Sequence, residues 1–310
     1  MRVSEPTSVT PGDAHGSRTG RRDAILDALG RREAQRMWAD HEIAELYARF
    51  CEEHPLARET SRDLALLAEL SDASMVVDMA CGSGATTREI LTRVRQDCRI
   101  TALDRSEAML KLAEQSVADN RVKWLHASAV DVASHVAEAD AILCNSAIWQ
   151  LDMPATVKAS AKALRIGGRL VFNLAPALVR HFLTPPPEQL RPSKPTLSQI
   201  IQAIAVLEYD FALPHPAIYR GRLEMTPEGI CDLLERNGFV VDHVKPLEYE
   251  QSAESQIAWL GVPIFTENVL PGLPRDVQLK VLEAAYLKWD KSPATEVWMA
   301  FAARKIDHPD

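Results

Sequence analysis

The sequence predicts an α/β protein with a doubly wound, mainly parallel sheet and a helical cap. Short apolar runs typical of buried strands alternate with segments of helical periodicity, a glycine turn follows the first run, and apolar residues at helical spacing precede it. Strands that alternate with helices require crossover connections, which place the strands parallel. The central elements are predicted, in chain order, at Ser74–Met79, Ala85–Val94, Arg99–Leu103, Ser106–Val117, Val122–His126, Asp140–Asn145, Ala155–Leu164 and Arg169–Leu174.

Two helices are predicted before the glycine turn. Apolar residues recur at helical spacing over Ala24–Glu53 and Ser61–Leu70, and we interpret residues 23–72 as an N-terminal helical cap. Residues 1–22 are rich in Ser, Thr, Gly, Pro and Arg without periodicity, which predicts a disordered tail.

The regular alternation stops after residue 176. Thr184–Pro195 contains five prolines and cannot form regular secondary structure, so we interpret residues 177–221 as an insertion that forms a lid. The main domain is then expected over residues 73–176 and 222–306. The later elements are predicted at Leu197–Leu207, Thr226–Asn237, Phe239–Val244, Pro274–Trp289 and Glu296–Ala303, the fourth of which is expected to extend the cap or form a dimer contact.

Composition disfavours several classes of function. The net charge of −8 argues against a nucleic-acid partner, because binding phosphates requires a basic face. No apolar run reaches the roughly 18 residues that span a bilayer, and the N-terminus lacks the apolar stretch of a secretory signal, so no membrane partner and a cytoplasmic location are expected. The five cysteines are scattered and lack metal-ligand spacing, which predicts neither a metal site nor disulfides.

The glycine turn after the first predicted strand is the main indication of a cofactor site. Gly82 and Gly84 allow a sharp turn at the carboxyl end of a parallel strand, where doubly wound sheets bind ligands, and Asp104 ends the next strand, where it can accept hydrogen bonds from ribose hydroxyls. A dinucleotide site would have a third glycine where this chain has Thr87. Asp78 would also repel a pyrophosphate, but it suits a cofactor that carries an ammonium and a sulfonium group. The turn therefore favours S-adenosylmethionine over a nicotinamide dinucleotide.

Seven segments resemble, in order, the signatures of class I S-adenosylmethionine-dependent methyltransferases. They are VVDMACGSGATT (residues 76–87), ALDRSEAML, VKWLHASAVDV, DAILCNSAIWQLD, LRIGGRLVFNL, TPEGICDLLERNGFVVDHV and TEVWMAFAARK. The resemblance implies a seven-stranded sheet of order 3-2-1-4-5-7-6 with the last strand antiparallel. It also implies a cofactor site formed by Asp78, Ala80, Gly82, Gly84, Asp104, Arg105, Met109, Ser128, Ala129 and Asn145. Ser128 departs from the family pattern, which has Asp there.

The resemblance implies methyl transfer from S-adenosylmethionine, with S-adenosylhomocysteine as product, to an O, N or C nucleophile. The N-terminal helices and the insertion usually cover the acceptor, so Tyr47 and His181 are candidate catalytic and substrate-binding residues, and Trp149 a candidate substrate-binding residue. We expect a small-molecule acceptor, as in bacterial specialised metabolism, and a homodimer is possible. The alternatives are a peptide or carrier-bound acceptor, a nicotinamide-dependent oxidoreductase, a non-catalytic cofactor-binding module, and an enzyme that uses the aminopropyl or carboxylated form of the cofactor.

Overall fold

A computed structural model of the protein describes residues 35–175, 195–212 and 226–307. The predicted disordered tail, residues 1–22, and most of the predicted lid, residues 177–221, lie outside these ranges.

The described residues form a seven-stranded sheet of order β3-β2-β1-β4-β5-β7-β6, which confirms the predicted order. Strands β1 to β5 run parallel, and β7 is antiparallel to both β5 and β6. The strands are β1 (Met75–Met79), β2 (Arg99–Asp104), β3 (Val122–His126), β4 (Ala139–Cys144), β5 (Leu164–Leu174), β6 (Phe239–Gln251) and β7 (Ala294–Lys305).

The central strands are apolar because both faces of the sheet are covered. Val77 and Ile142 face one buried cluster, whereas Val76 and Leu143 face the other, as expected for side chains that alternate along a strand. The chain reverses its order between β1 and β4, so the carboxyl ends of β1, β2 and β4 open onto one crevice.

The helices differ from the predicted ones mainly near the N-terminus. Residues 35–39 are helical, but a new helix begins after Asp40, whose carboxylate caps the first turn by accepting from the Glu42 and Ile43 amides. The single long helix expected over Ala24–Glu53 is therefore interrupted. The helices are α1 (His41–Glu53), α2 (Leu56–Leu67), α3 (Ala85–Leu91), α4 (Glu107–Ser116), α5 (Met153–Ala163), α6 (Leu197–Tyr209), α7 (Pro227–Arg236), α8 (Ala253–Gly261), α9 (Pro263–Val269) and α10 (Arg275–Lys288).

Helices α8 and α9 were not predicted, because α9 is short and neither shows a clear apolar stripe. They pack with neighbouring helices into a second helical layer. One buried cluster joins α6, α8 and α10 through residues such as Ile201, Leu260 and Val281. As one of the two predicted alternatives, α10 thus extends the cap.

Strands β6 and β7 are longer than their predicted segments, Phe239–Val244 and Glu296–Ala303. β6 lies at the edge of the sheet and continues past Pro246, which pairs in register with Met299. An edge strand tolerates proline because only one side of it needs ladder hydrogen bonds. The added length brings Tyr249 and Trp298 into the cluster beneath α1 and α9.

Candidate active site

The loop after β1 has the sharp turn that the glycines predict. Gly82 and Gly84 have φ values of 52° and 87°, and Ala80 has φ 54° although it carries a Cβ. A non-glycine residue with positive φ is strained, and such residues concentrate at functional sites. The Cys81 amide donates to the Leu103 carbonyl at 3.0 Å, so the loop is tied to the end of β2.

Asp104 connects that loop to the exit of β2. Its Oδ2 accepts from the Gly82 amide at 3.0 Å, and its Oδ1 accepts from the Ser106 amide at 2.8 Å. Burial raises the pKa of Asp104, and these amide hydrogen bonds oppose that rise by stabilising the carboxylate. A carboxylate has about four lone-pair sites, so each oxygen keeps one for a ligand hydroxyl.

Asp78 lies beneath the loop rather than in the cavity that the loop borders. Its side chain is 1% exposed, and its Oδ2 accepts from the Thr87 hydroxyl at 2.5 Å. Burial raises its pKa to about 7, although the hydrogen bond from Thr87 lowers it. The residue that replaces the third glycine of a dinucleotide site therefore hydrogen-bonds to the acidic residue that ends the preceding strand.

A cavity of about 220 Å³ opens at the exits of β1, β2 and β4. It brings together eight of the residues predicted from the sequence: Tyr47, Ala80, Gly82, Asp104, Arg105, Met109, Ala129 and Asn145. Asp78, Gly84, Ser128 and Trp149 are not among its lining residues. His181 lies outside the described residues.

The predicted residues that do not line this cavity have other contacts. Gly84 lies at the start of α3, where an added Cβ would be 3.2 Å from Val117 Cγ2. Ser128 precedes the short 3₁₀ turn Ala129–Ser134. Trp149 packs edge-on against Trp298, with ring centroids 5.9 Å apart.

Sequence reasoning did not identify the wall of the cavity that faces away from the glycine loop. Trp38 Nε1 donates to Gln150 Oε1 at 2.9 Å, and the Trp38 carbonyl accepts from Ser106 Oγ at 2.6 Å. Gln35, Trp38, Ser106, Ser146, Ala147, Gln150 and Leu151 all line the cavity. A tryptophan in the N-terminal helical region was the only available signal, because no pattern shows that it pairs with a residue 112 positions later.

A smaller cavity of about 40 Å³ adjoins the first and shares Tyr47, Ala80, Gly82, Asn145 and Ser146 with it. Aromatic rings dominate its outer wall, where Phe50, Trp259 and Trp298 lie. Trp259 also stacks on Phe265 with centroids 3.5 Å apart. The unpredicted helices α8 and α9 thus supply part of the site.

Tyr47 borders both cavities and covers the glycine loop. A Cβ built on Gly82 would lie 3.6 Å from its Cε1 atom. Burial and the nearby Cys51 and Asp104 raise the pKa of Tyr47 well above 10.0. Burial likewise raises the pKa of Cys51 to about 11, against the opposing hydrogen bonds from Tyr47 and Ser83. Both groups are therefore protonated near neutral pH and can donate hydrogen bonds there.

Within the described ranges, no group of three or more His, Cys, Asp or Glu side chains is arranged to hold a metal ion. None of the helices in those ranges is long and apolar enough to cross a membrane.

The residues of the larger cavity fit S-adenosylmethionine. The buried Asp104 carboxylate offers acceptors for the two ribose hydroxyls, and the Met109 side chain offers an apolar surface for a purine. Gly82, which lacks a side chain, leaves the loop backbone open beneath Tyr47.

Comparison with known proteins supports this assignment. Residues 76–168 match the model of a family described as a methyltransferase domain. The chain is 26% identical over 217 residues to trans-aconitate 2-methyltransferase of Azoarcus sp. (strain BH72), an alignment that covers 67% of this chain and 78% of the relative. The crystal structure of the YcgJ protein of Bacillus subtilis superposes with a TM-score of 0.50 at 14% identity, covering 82% of this chain and 100% of that one, which is a likeness of fold. With the sheet order and the cavity, these matches identify the chain as a class I S-adenosylmethionine-dependent methyltransferase.

Proposed function

We propose that the chain transfers the methyl group of S-adenosylmethionine to an oxygen, nitrogen or carbon nucleophile of a small molecule that enters the larger cavity. The observation that carries this proposal is the composition of that cavity. One side holds Gly82, Asp104 and Met109, which suit the cofactor, and the other holds Trp38 and Gln150, which the cofactor signatures do not include. A cavity with a second wall of this kind has room to recognise an acceptor.

We propose that Asp104 binds the ribose hydroxyls and that Ala80, Gly82, Arg105, Met109, Ala129 and Asn145 form the rest of the cofactor contact. Asp78 would act from beneath the loop through its charge, and Gly84 through the turn that it permits. Ser128 keeps its proposed place beside the adenine through its neighbour Ala129. Residues 35–72 and the helices α6, α8, α9 and α10 would together form the cap over the domain.

When bound, the cofactor supplies an electrophilic methyl group on a positively charged sulfur, so the protein mainly has to align the acceptor and exclude water. The Tyr47 phenol keeps its proton and would orient an acceptor by donating a hydrogen bond. Trp38, held by Gln150 and Ser106 on either side, would close the cavity against solvent. Trp149 would act through its contact with Trp298 at the smaller cavity. His181 stays our candidate for the base that accepts the acceptor's proton.

The test is product formation from S-adenosylmethionine that carries a trideuterated methyl group. We expect mass spectrometry to find a small molecule from a bacterial metabolite extract that gains the labelled methyl with wild-type protein. Asp104→Ala should abolish that gain, and label that appears only in protein or peptide would instead favour the peptide or carrier alternative.

Carboxylate methylation is a second candidate, because the relative from Azoarcus is a trans-aconitate 2-methyltransferase and Arg105 lines the larger cavity. A polycarboxylate must be paired with cationic groups to leave water. Among the described residues that line the two cavities, Arg105 is the only basic one. Turnover of trans-aconitate that is lost in Arg105→Gln would establish this candidate, and no turnover with wild type would reject that substrate.

A further inference from the structure

The backbone that leaves β4 into the cavity is held by a buried side chain outside it. Ser146 lines both cavities and has φ 56°, a strained value for a residue other than glycine. Its amide donates to Asn173 Oδ1 at 2.7 Å, and Asn173 Nδ2 donates to Asn145 Oδ1 at 2.8 Å. Asn173 is fully buried on β5 and lines neither cavity.

The directions of these hydrogen bonds follow from chemistry. A backbone N–H can only donate, so the Asn173 atom that faces Ser146 must be the carbonyl oxygen. The other end of Asn173 is then the NH₂ group, and the Asn145 atom that it meets must be an oxygen. Asn145 therefore directs its own NH₂ group away from Asn173.

That NH₂ group reaches the N-terminal cap. Asn145 Nδ2 donates to Thr60 Oγ1 at 3.1 Å and to Ser61 Oγ at 3.0 Å, both buried on α2. These hydroxyls are free to accept because they donate their protons to backbone carbonyls one turn earlier. Ser61 also hydrogen-bonds at 2.9 Å to Thr86, on the helix that follows the glycine loop. The network thus connects the exit of β4, the cap and the glycine-loop helix.

We infer that Asn173 is a positioning residue, which sets the Asn145–Ser146 wall of the cavity for the cofactor without touching it. Asparagine suits this place because it accepts from Ser146 and donates to Asn145 at the same time. A buried polar network in which each member has one arrangement fixes a single geometry. The inference rests on the proposed placement of the cofactor against Asn145.

Asn173→Asp tests this inference, because a protonated carboxyl can accept and donate like the amide, whereas a carboxylate can only accept. The ionised form would place two acceptors against each other at Asn145. We expect Asn173→Asp to bind S-adenosylhomocysteine within about twofold of wild type near pH 5 and at least tenfold more weakly than wild type near pH 8.5, by calorimetry. Ser160→Ala is the matched control: it removes another buried side-chain hydrogen bond, inside α5, and should bind like wild type at both pH values.

A merely structural role would lower the melting temperature of Asn173→Asp without a pH-dependent change in relative affinity, and that result would overturn the inference. If Asn173→Asp is unfolded near pH 8.5 by circular dichroism, Asn173→Ser replaces it. Serine is too short to reach both partners, so its affinity should be at least tenfold weaker at both pH values, and wild-type affinity would count against the inference. If wild type itself does not bind S-adenosylhomocysteine, the proposed function fails instead.

Discussion

Asp78→Asn should change how the stability of the protein depends on pH. The Asp78 carboxyl is 1% exposed, and burial raises its pKa from 3.8 to about 7. Between these values the folded protein holds a proton that the unfolded chain has released. Folding is therefore coupled to proton uptake, and the contribution of Asp78 to stability is lost as pH rises towards 7. Asparagine has nearly the same shape and can donate to the Thr87 hydroxyl, but it does not titrate.

The size of the effect follows from the same pKa. Each pH unit over which only the folded form is protonated is worth about 1.4 kcal/mol. From about pH 5 to about pH 8 the folded carboxyl is protonated for roughly two units, so Asp78 should remove about 2–3 kcal/mol of wild-type stability over that interval. The free energy of unfolding of Asp78→Asn, relative to wild type, should rise by this amount between the two pH values.

Urea unfolding at both pH values, followed by circular dichroism without cofactor, measures this difference. Asp276→Asn, which alters an exposed carboxylate of α10, is the control and should parallel wild type at both pH values. Parallel curves for Asp78→Asn and wild type would show that the Asp78 carboxyl is ionised in the folded protein, and the reasoning from its burial would be refuted.

Three further predictions concern the binding of S-adenosylhomocysteine by calorimetry. Gly82→Val should weaken it tenfold or more, about 1.4 kcal/mol, because a branched side chain strains the positive φ and meets Tyr47; Gly272→Val, with φ +76° and open space around it, should not. Asp104→Asn should cost about 1.5–3 kcal/mol with the natural ligand and nothing with its 2′,3′-dideoxyribose analogue; equal losses with both ligands would remove the ribose from its assignment. Tyr47→Phe should leave the pH dependence of binding between about 6 and 9 unchanged, because the raised pKa keeps the phenol neutral; a shifted profile would contradict that.

Much of the fold was predictable because strands and cofactor loop carry local signals. An apolar run, a glycine turn and a terminal acidic residue are properties of consecutive residues, and the parallel sheet then brings the exits of β1 and β2 together. Asp104 and Gly82 could therefore be placed in one site, and their hydrogen bond follows from the register of the two strands.

The remainder of the site depends on contacts between distant segments. The pair Trp38–Gln150 joins the cap to the exit of β4, and Trp259 comes from a helix without a distinct apolar stripe. Asp78 shows the converse limit, because its position in the motif indicated a ligand contact, whereas its side chain turns beneath the loop to Thr87. Which face a loop-flanking residue takes is decided by packing against the next helix, and no local periodicity records it.

This difference has a consequence for how the protein could vary in evolution. The cofactor half of the cavity is built at strand exits whose positions the whole sheet fixes, so changes there disturb the fold as well as binding. The opposite wall is carried by the cap, and Trp38 is joined to the sheet side by two hydrogen bonds, from its indole and from its carbonyl. Exposed or half-buried pairs of this kind contribute about 1 kcal/mol each, so they can be exchanged at little cost in stability. Acceptor choice can thus change at Trp38 and Gln150 while Asp104, Gly82 and the buried network through Asn173 keep the methyl donor in place.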